Sequence, residues 1–416
     1  MTKDAFLKQF DSKPALFPIQ GQARAAIRNG LAFPTTRDEK WKYTRVSSLV
    51  SADYGHAEGR LETIEQFRIQ GADYATLVFI NGRFHADLSD AVPEGMIAVS
   101  MASSFGTQRN QMLDKLGKQG DIEEQAFVSL NTAFFEDGAY IKVVANTRIE
   151  KPVCILNIAQ GTKQASNVRN LIHIERGAEI SLLHQFEGDQ NDGSFSNAVT
   201  EIFVDENAKA TYYLIENEGP SASGINATYV EQKRDSHYTQ VTVTKSGKLV
   251  RNNIHASITG EGCETNMMGI YFTSDRQHVD NQTYADHQKP NCNSNELYKG
   301  VMTDRSTGVF NGKIMVHQDA QKTNAFQSNQ NILLSDAATI NTKPELEIYA
   351  DDVKCSHGCT VGQLDEEAMF YLRSRGLGKE AAHRLLVQAF AADVIEVIEH
   401  AAIREDIARF IESKFQ

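Results

Sequence analysis

The chain has 416 residues, with 42 Lys and Arg against 54 Asp and Glu for a formal net charge of −12. That balance argues against a dedicated nucleic-acid-binding protein, which needs a concentrated basic face. A hydrophobic share of 41% beside 23% charged residues excludes a disordered chain. At roughly 150 residues per domain, the length implies two or three units. No apolar run reaches the roughly 20 residues that span a bilayer, and Met1 to Phe10 carries no signal-peptide pattern, so the expectation is a cytoplasmic protein without a membrane partner.

Three textures follow one another, with expected domains at 1–137, 138–361 and 362–416. The first is mainly helical, mixed with short strands. Phe6 and Phe10 stand one helical turn apart, and Ala23, Ala26, Ile27 and Gly30 repeat that spacing, with Pro14, Pro18 and Pro34 as breaks. The single Trp lies in the charged stretch Asp38 to Thr44, where aromatic rings are expected to pin an exposed segment to a neighbouring surface. Asn81-Gly82 between Leu77–Ile80 and Arg83-Phe84 predicts a two-residue hairpin, because both turn positions need positive φ. Helical character returns around Gln108 to Leu116 and Ile122 to Phe135.

The second texture is nearly all β. Short apolar clusters recur, such as Ile172-His173-Ile174, Tyr212-Tyr213-Leu214, Val309-Phe310 and Ile314-Met315-Val316. Polar residues, including Asn311-Gly312, Asn324, Asn329 and Asn341, separate them and are expected to be corners between strands of two to four residues. Such spacing is too tight for long hairpins and favours a parallel β-helix over a sandwich. The third texture is helical. Asp365 is a candidate N-cap ahead of Glu366-Glu367, and Gly376 a candidate residue just past the helix end. Leu386, Phe390, Val394, Val397 and Ala401 form one amphipathic stripe, and Ile403, Ile407, Phe410 and Ile411 another. These stripes either pack on each other or dock a partner.

The five cysteines, Cys154, Cys263, Cys292, Cys355 and Cys359, are an odd count, which argues against a disulfide framework and for buried filler, reactive thiols or metal ligands. Gly308 to Ile314 falls one residue short of a phosphate loop and lacks its hydroxyl; no nucleophile elbow or zinc helix occurs. The chain therefore reads as neither ATP-hydrolysing nor dinucleotide-binding. Its densest donor constellation is Lys354-Cys355-Ser356-His357-Gly358-Cys359. In an extended segment Cys355, His357 and Cys359 share one face at about 7 Å spacing. Thiolate and imidazole suit iron–sulfur species, zinc or copper, and one strand cannot complete a tetrahedral site. His255, His278, His287 and His317 are scattered and expected to be surface or hydrogen-bonded core groups; Cys263 and Cys292 fit either the interior or the surface.

The runs Gly308 to Val316, Ala320 to Ala325, Asn331 to Ala337, Thr342 to Gly358 and Thr360 to Gly376 resemble the SufB/SufD family of iron–sulfur cluster assembly proteins. Trp41-Lys-Tyr-Thr44 and Asn131 to Ala139 agree. Within the family the likeness is to the SufD branch: SufB-like chains carry His-Glu where this one has His357-Gly358, and Cys355 is characteristic of SufD. The resemblance implies a right-handed parallel β-helix between an N-terminal mixed α/β domain and a C-terminal helical domain. It also implies a non-enzymatic scaffold subunit in a complex with SufB and two copies of the ATPase SufC, with ATP entering only through SufC. A transient iron–sulfur cluster would be shared with SufB, and no cofactor would be tightly bound. His357 would be the principal ligand or gate at the SufB junction and Cys355 its helper; Cys359 departs from the family, in which a small residue is usual there, and is either an extra donor, inert, or a point of zinc capture or oxidation. SufC would dock on the C-terminal lobe, with Phe370, Tyr371, Arg373, Leu386 and Phe390 as candidate contacts. The segment Leu346 to Cys355 is expected to supply an end strand that pairs with SufB or, as a homodimer, with a second copy. A β-helix enzyme acting on polysaccharide is the alternative, resting on fold analogy alone.

Overall fold

The structure, a computed structural model, describes residues 14–188 and 193–414; the expected helix carrying Phe6 and Phe10 lies outside them. Helix α1 (Pro18–Arg28) opens with Pro18 in its first turn, where a missing N–H costs nothing, so Pro18 starts a helix and does not break one. Its Ala23 and Ile27 are buried with Ala133 of α4 (Ala126–Phe134), while α2 (Ser47–Ser51) and α3 (Gly106–Lys115) pack beside them. Strands β1 (Ala75–Ile80) and β2 (Arg83–Phe84) form the expected hairpin, with φ of 49° at Asn81 and 79° at Gly82. Strand β3 (Met96–Ser100) follows.

From β4 (Ala139–Val143) and β5 (Val153–Ala159) onward the chain coils as a parallel β-solenoid of about 8 turns. One sheet continues β4 with β6 (Ala165–Ile174), β8 (Phe195–Val204), β10 (Ser223–Gln232), β12 (Leu249–Ile258), β14 (His278–His287), β16 (Thr307–Val316) and β18 (Thr339–Ile348). The other continues β5 with β7 (Glu179–Gly188), β9 (Lys209–Asn217), β11 (His237–Ser246), β13 (Glu264–Thr273), β15 (Asn293–Met302), β17 (Asn324–Leu333) and β19 (Lys354–Gly362). β1 and β3 extend these sheets in the N-terminal region, β1 in parallel with β5 and β3 antiparallel to β4.

Most of these strands have 9 or 10 residues, not two to four. The apolar clusters at 309–310 and 314–316 belong to one strand, β16, with Asn311-Gly312 in its middle. Asn324 opens β17, Asn329 lies buried within it and Asn341 lies within β18, so none of these is a corner. The interior keeps such residues because they hydrogen-bond along the stack: Asn226 Nδ2 donates to Asn252 Oδ1 (3.4 Å) and Asn252 Nδ2 to Asn281 Oδ1 (3.1 Å). On one edge the corners are left-handed positions at Asn146, Gly177, Asn207, Asp235, Gly262, Asn291 and Lys322, and on the other edge Asp275 and Asp304 turn two of them.

Inward-facing apolar side chains form the main core; Ile155, Leu182, Ile254, Phe310 and Ile314 are members. The outward face of the β5–β15 sheet is apolar too and is covered by the C-terminal helices. Asp365 caps α5 (Glu366–Ser374) by accepting from the Glu367 and Ala368 amides, and Gly376 past its end has φ 93°. Along α6 (Lys379–Ile395) and α7 (Ala401–Lys414) the buried stripe is Val387, Ala391, Val394, Ile398, Ile403, Ile407 and Ile411, packed with Val241, Val243, Ile270 and Phe272 of the sheet. The expected second stripe holds, with Ile403, Ile407 and Ile411 buried and Phe410 packed beside them, whereas the first is rotated: Val394 is buried, Leu386, Phe390 and Val397 flank the buried line, and Ala401 is exposed. The stripe packs mainly on the solenoid. Trp41 stands 3.7 Å from the Arg251 guanidinium and against Phe127, pinning its segment to the opposite sheet as expected. Among the described residues no helix is long and apolar enough to cross a membrane.

Candidate functional site at the open end of the solenoid

β18 and β19 are the last strands of their sheets, so each has one paired edge and one open edge. The segment Leu346 to Cys355 is not a continuous end strand: β18 ends at Ile348, a corner follows, and β19 begins at Lys354. Cys355 packs against the inner core, and strand alternation then places His357 and Cys359 on the same inward face. Among the described residues no further turn covers that face. Cys355 is half-buried, while His357 and Cys359 are exposed. Because the Lys354 amide donates to Thr323 O toward β17, the amides of the alternate residues 355, 357 and 359 turn to the open edge. The row therefore offers side chains to the mouth and backbone groups to an incoming strand.

Behind the row lies a polar column. Register sets His357 against Gln327 of β17 and Gln327 against Glu296 of β15. Gln327 Nε2 donates to Glu296 Oε2 at 3.1 Å, and Thr283 Oγ1, from the opposite sheet, donates to the same oxygen at 2.6 Å. Gly312 makes room: a Cβ there would come within 2.3 Å of Gln327 Nε2. Gln327 Oε1 and Glu296 Oε1 are buried and accept no hydrogen bond from the described residues. Burial raises the Cys355 thiol above its ordinary pKa, partly offset by a hydrogen bond with the Ala325 backbone. Cys355 therefore favours the neutral thiol until a ligand displaces its proton.

Among the described residues, no three His, Cys, Asp or Glu side chains are gathered closely enough to hold a metal ion. The Cys355–His357–Cys359 row is thus a set of donors spread along a strand, suited to an incoming group that brings further ligands. Exposed apolar side chains surround the mouth: Phe326, Ile348, Tyr349 and Val361. On the C-terminal lobe Phe370 is 75% and Tyr371 57% exposed, and Arg373 is exposed beside them. Leu386 is partly buried. Phe390 is engaged within the chain, its ring 4.9 Å from Lys299 Nζ and its carbonyl accepting from the same ammonium at 2.8 Å.

The scattered histidines have partners: His278 meets Thr44, His287 meets Ser294 and His317 meets Asp286, while His255 packs between Tyr229 and Tyr284. Cys154, Cys263 and Cys292 are buried. The segment resembling a phosphate loop is the middle of β16 and cannot wrap a phosphate. The Glu296–Gln327 column was absent from the expected site. Its signal was present in the sequence as residues at successive intervals of about 30 positions, Gln327 one turn and Glu296 two turns before His357.

Fold and site together define a β-solenoid whose last turn is left open and lined with thiol and imidazole donors. The SufBD core domain of the SUF iron–sulfur cluster assembly system matches residues 157–390, and the SufBD N-terminal region matches residues 11–155. The chain belongs to the SufBD family of iron–sulfur cluster assembly proteins. It is 33% identical over 398 residues to a SufBD family protein of Synechocystis, covering 92% of this chain and 88% of that one. It is 29% identical over 393 residues to the SufD protein of Escherichia coli (93% and 90%), and 26% identical over 340 residues to that of Bacillus subtilis (79% and 76%). Family membership favours iron–sulfur cluster assembly over action on polysaccharide.

Proposed function

We propose that this chain is a SufD-type scaffold subunit, without catalytic chemistry of its own, that pairs with SufB through its last turn and docks the ATPase SufC on its C-terminal lobe. The nascent cluster is cargo, held transiently between chains. His357 is its principal ligand here, Cys355 assists, and Cys359 stands within the same row as an additional donor. The observation that carries this reading is the donor row on an inward face that ends at an open strand edge. A homologous solenoid can continue the stack by donating its own edge, which hydrogen-bonds the waiting amides and closes the donors into a shared site. The exposed ring of Phe326, Ile348, Tyr349 and Val361 supplies apolar area for that contact. Phe370, Tyr371 and Arg373 on the outer helix α5 similarly favour a partner on the C-terminal lobe.

Anaerobic reconstitution with SufB and SufC tests the reading. His357→Ala is expected to leave the three-component complex intact by size-exclusion chromatography and to lower cluster absorbance about tenfold or more. Cys355→Ala is expected to give a smaller loss and Cys359→Ala the least. Wild-type cluster yield from His357→Ala would overturn the site, and failure to retain SufC through salt washing would overturn the scaffold role.

A further inference from the structure

Cys263 and Cys292 stand at the same corner of successive turns, just ahead of the registered pair Glu264 and Asn293. The Asn293 amide donates to Cys263 O at 2.9 Å, so the two backbones lie one strand spacing apart, about 4.8 Å. Both sulfurs lie 3.3 Å from a single atom, Gly260 O. Neighbouring turns thus present their thiols to each other at a Cα separation within the range of a disulfide, about 4.4–6.8 Å. Around them Ser236 Oγ approaches Cys263 Sγ at 3.7 Å, and Lys233 O accepts from it at 3.0 Å. The closeness of the two thiols holds Cys263 below the ordinary thiol range and Cys292 above it, so Cys263 is the sulfur that carries a thiolate first. Both side chains are buried, yet Asn291, which turns one corner beside them, and Glu261, next to Gly262 at the other, are exposed. A small oxidant reaches the sulfurs when this corner opens.

We propose that Cys263 and Cys292 are a redox-active dithiol whose substrate class is the hydroperoxides, and that its oxidised form is a disulfide joining two turns of the solenoid. The Cys263 thiolate attacks the distal oxygen, the O–O bond breaks, and a sulfenic acid forms with release of water or alcohol. Cys292 then attacks the sulfenic sulfur, its proton leaves with the hydroxyl as water, and the S–S bond closes. Two thiols lose two electrons and one hydroperoxide gains them. A dithiol reductant reverses the step. This site is separate from the donor row on the last turn and does not depend on its role.

Mass spectrometry of the reduced full-length chain treated with hydrogen peroxide, denatured and alkylated, tests the assignment. Trypsin separates the two cysteines, because Arg276 lies between them, into peptides spanning 252–276 and 277–299. The expected result is a cross-linked pair of these peptides, alkylation blocked at both cysteines, and full recovery on reduction. Exposed Cys359 reports that the oxidant acted. If Cys359 is oxidised while Cys263 and Cys292 alkylate completely, the proposal is overturned. Cross-linking of either cysteine to a different cysteine in place of this pair would overturn it equally. Cys292→Ser, compared on the folded chain, is expected to abolish the cross-link and leave Cys263 as a trappable sulfenic acid.

Discussion

Glu296 lies two turns inside the open end, on the inward column that ends at His357. Burial pushes its carboxyl up to about 7, opposed by the hydrogen bonds from Thr283 and Gln327. The unfolded chain releases this proton near the ordinary Glu pKa, whereas the folded chain holds it to about 7. Its contribution to stability is therefore whole below the ordinary value and is lost as pH rises through 7. Glu296→Gln keeps an oxygen to accept both bonds and removes the titration. Relative to wild type, the variant is expected to gain about 3 kcal/mol of stability between pH 4.5 and pH 8. Urea unfolding across that range checks this as a difference between the two proteins, because Glu187, also raised to about 7 by burial, titrates in both. A constant difference would show that Glu296 does not change its proton in this window.

The N-terminal helices are held on the solenoid by buried polar contacts as well as apolar packing. Arg169 of β6 donates to Glu201 of β8 through Nε (3.1 Å) and Nη2 (2.7 Å), and through Nη1 to Thr132 Oγ1 of α4 (2.8 Å). Glu201 also accepts from the Gly117 and Gln119 amides, each at 2.9 Å, just after α3. Both charged side chains are fully buried. Such a pair adds little over an apolar pair, but removing one partner strands the other charge. Glu201→Ala is expected to cost about 3–5 kcal/mol in chemical denaturation. Glu201→Gln, which retains an acceptor, should cost less, and equal losses would show that Arg169 does not depend on the charge. Asn131 reinforces the same junction by donating to Val168 O and Asn197 O, each at 2.8 Å.

The whole molecule is a solenoid with asymmetric ends. Its first turns are closed by the N-terminal helices and hairpin, its broad apolar outer face by α6 and α7, and its last turn is bare. Lys299 and Asp393, 2.5 Å apart, fasten α6 to the sheet across the apolar contact. Ending the chain at residue 364 is expected to expose Val241, Val243, Ile270 and Phe272, giving strong binding of a hydrophobic dye and self-association in light scattering. A monodisperse truncated chain that does not bind the dye would show that the helices are dispensable to the solenoid and serve partners alone. The bare end differs from the covered face. Its inward row is polar and donor-rich, and its open strand edges persist because the exposed side chains include Lys354 and His357.

Local chemistry made several features legible before the fold was known. Asn81-Gly82 specifies its turn through positive φ, Asp365 its helix start through a side-chain acceptor, and Gly376 the residue after the helix through freedom from Cβ. Alternation alone placed Cys355, His357 and Cys359 on one face. Corners were misassigned because Asn serves two ends equally well: it accepts the left-handed conformation at Asn146 and Asn207, and it ladders inside the stack at Asn252 and Asn281. The stripe along α7 was legible from its period, but that along α6 was misphased because flanking apolar residues share its period, and the sheet beneath selects the rotation. Long-range register decided the rest. Whether a donor row faces a sealed core or an open mouth depends on whether another turn follows. Glu296, Gln327 and His357 become neighbours only when turns about 30 residues long stack in phase. Short-range rules act within a few residues, whereas that stacking is the sum of every pairing along the solenoid.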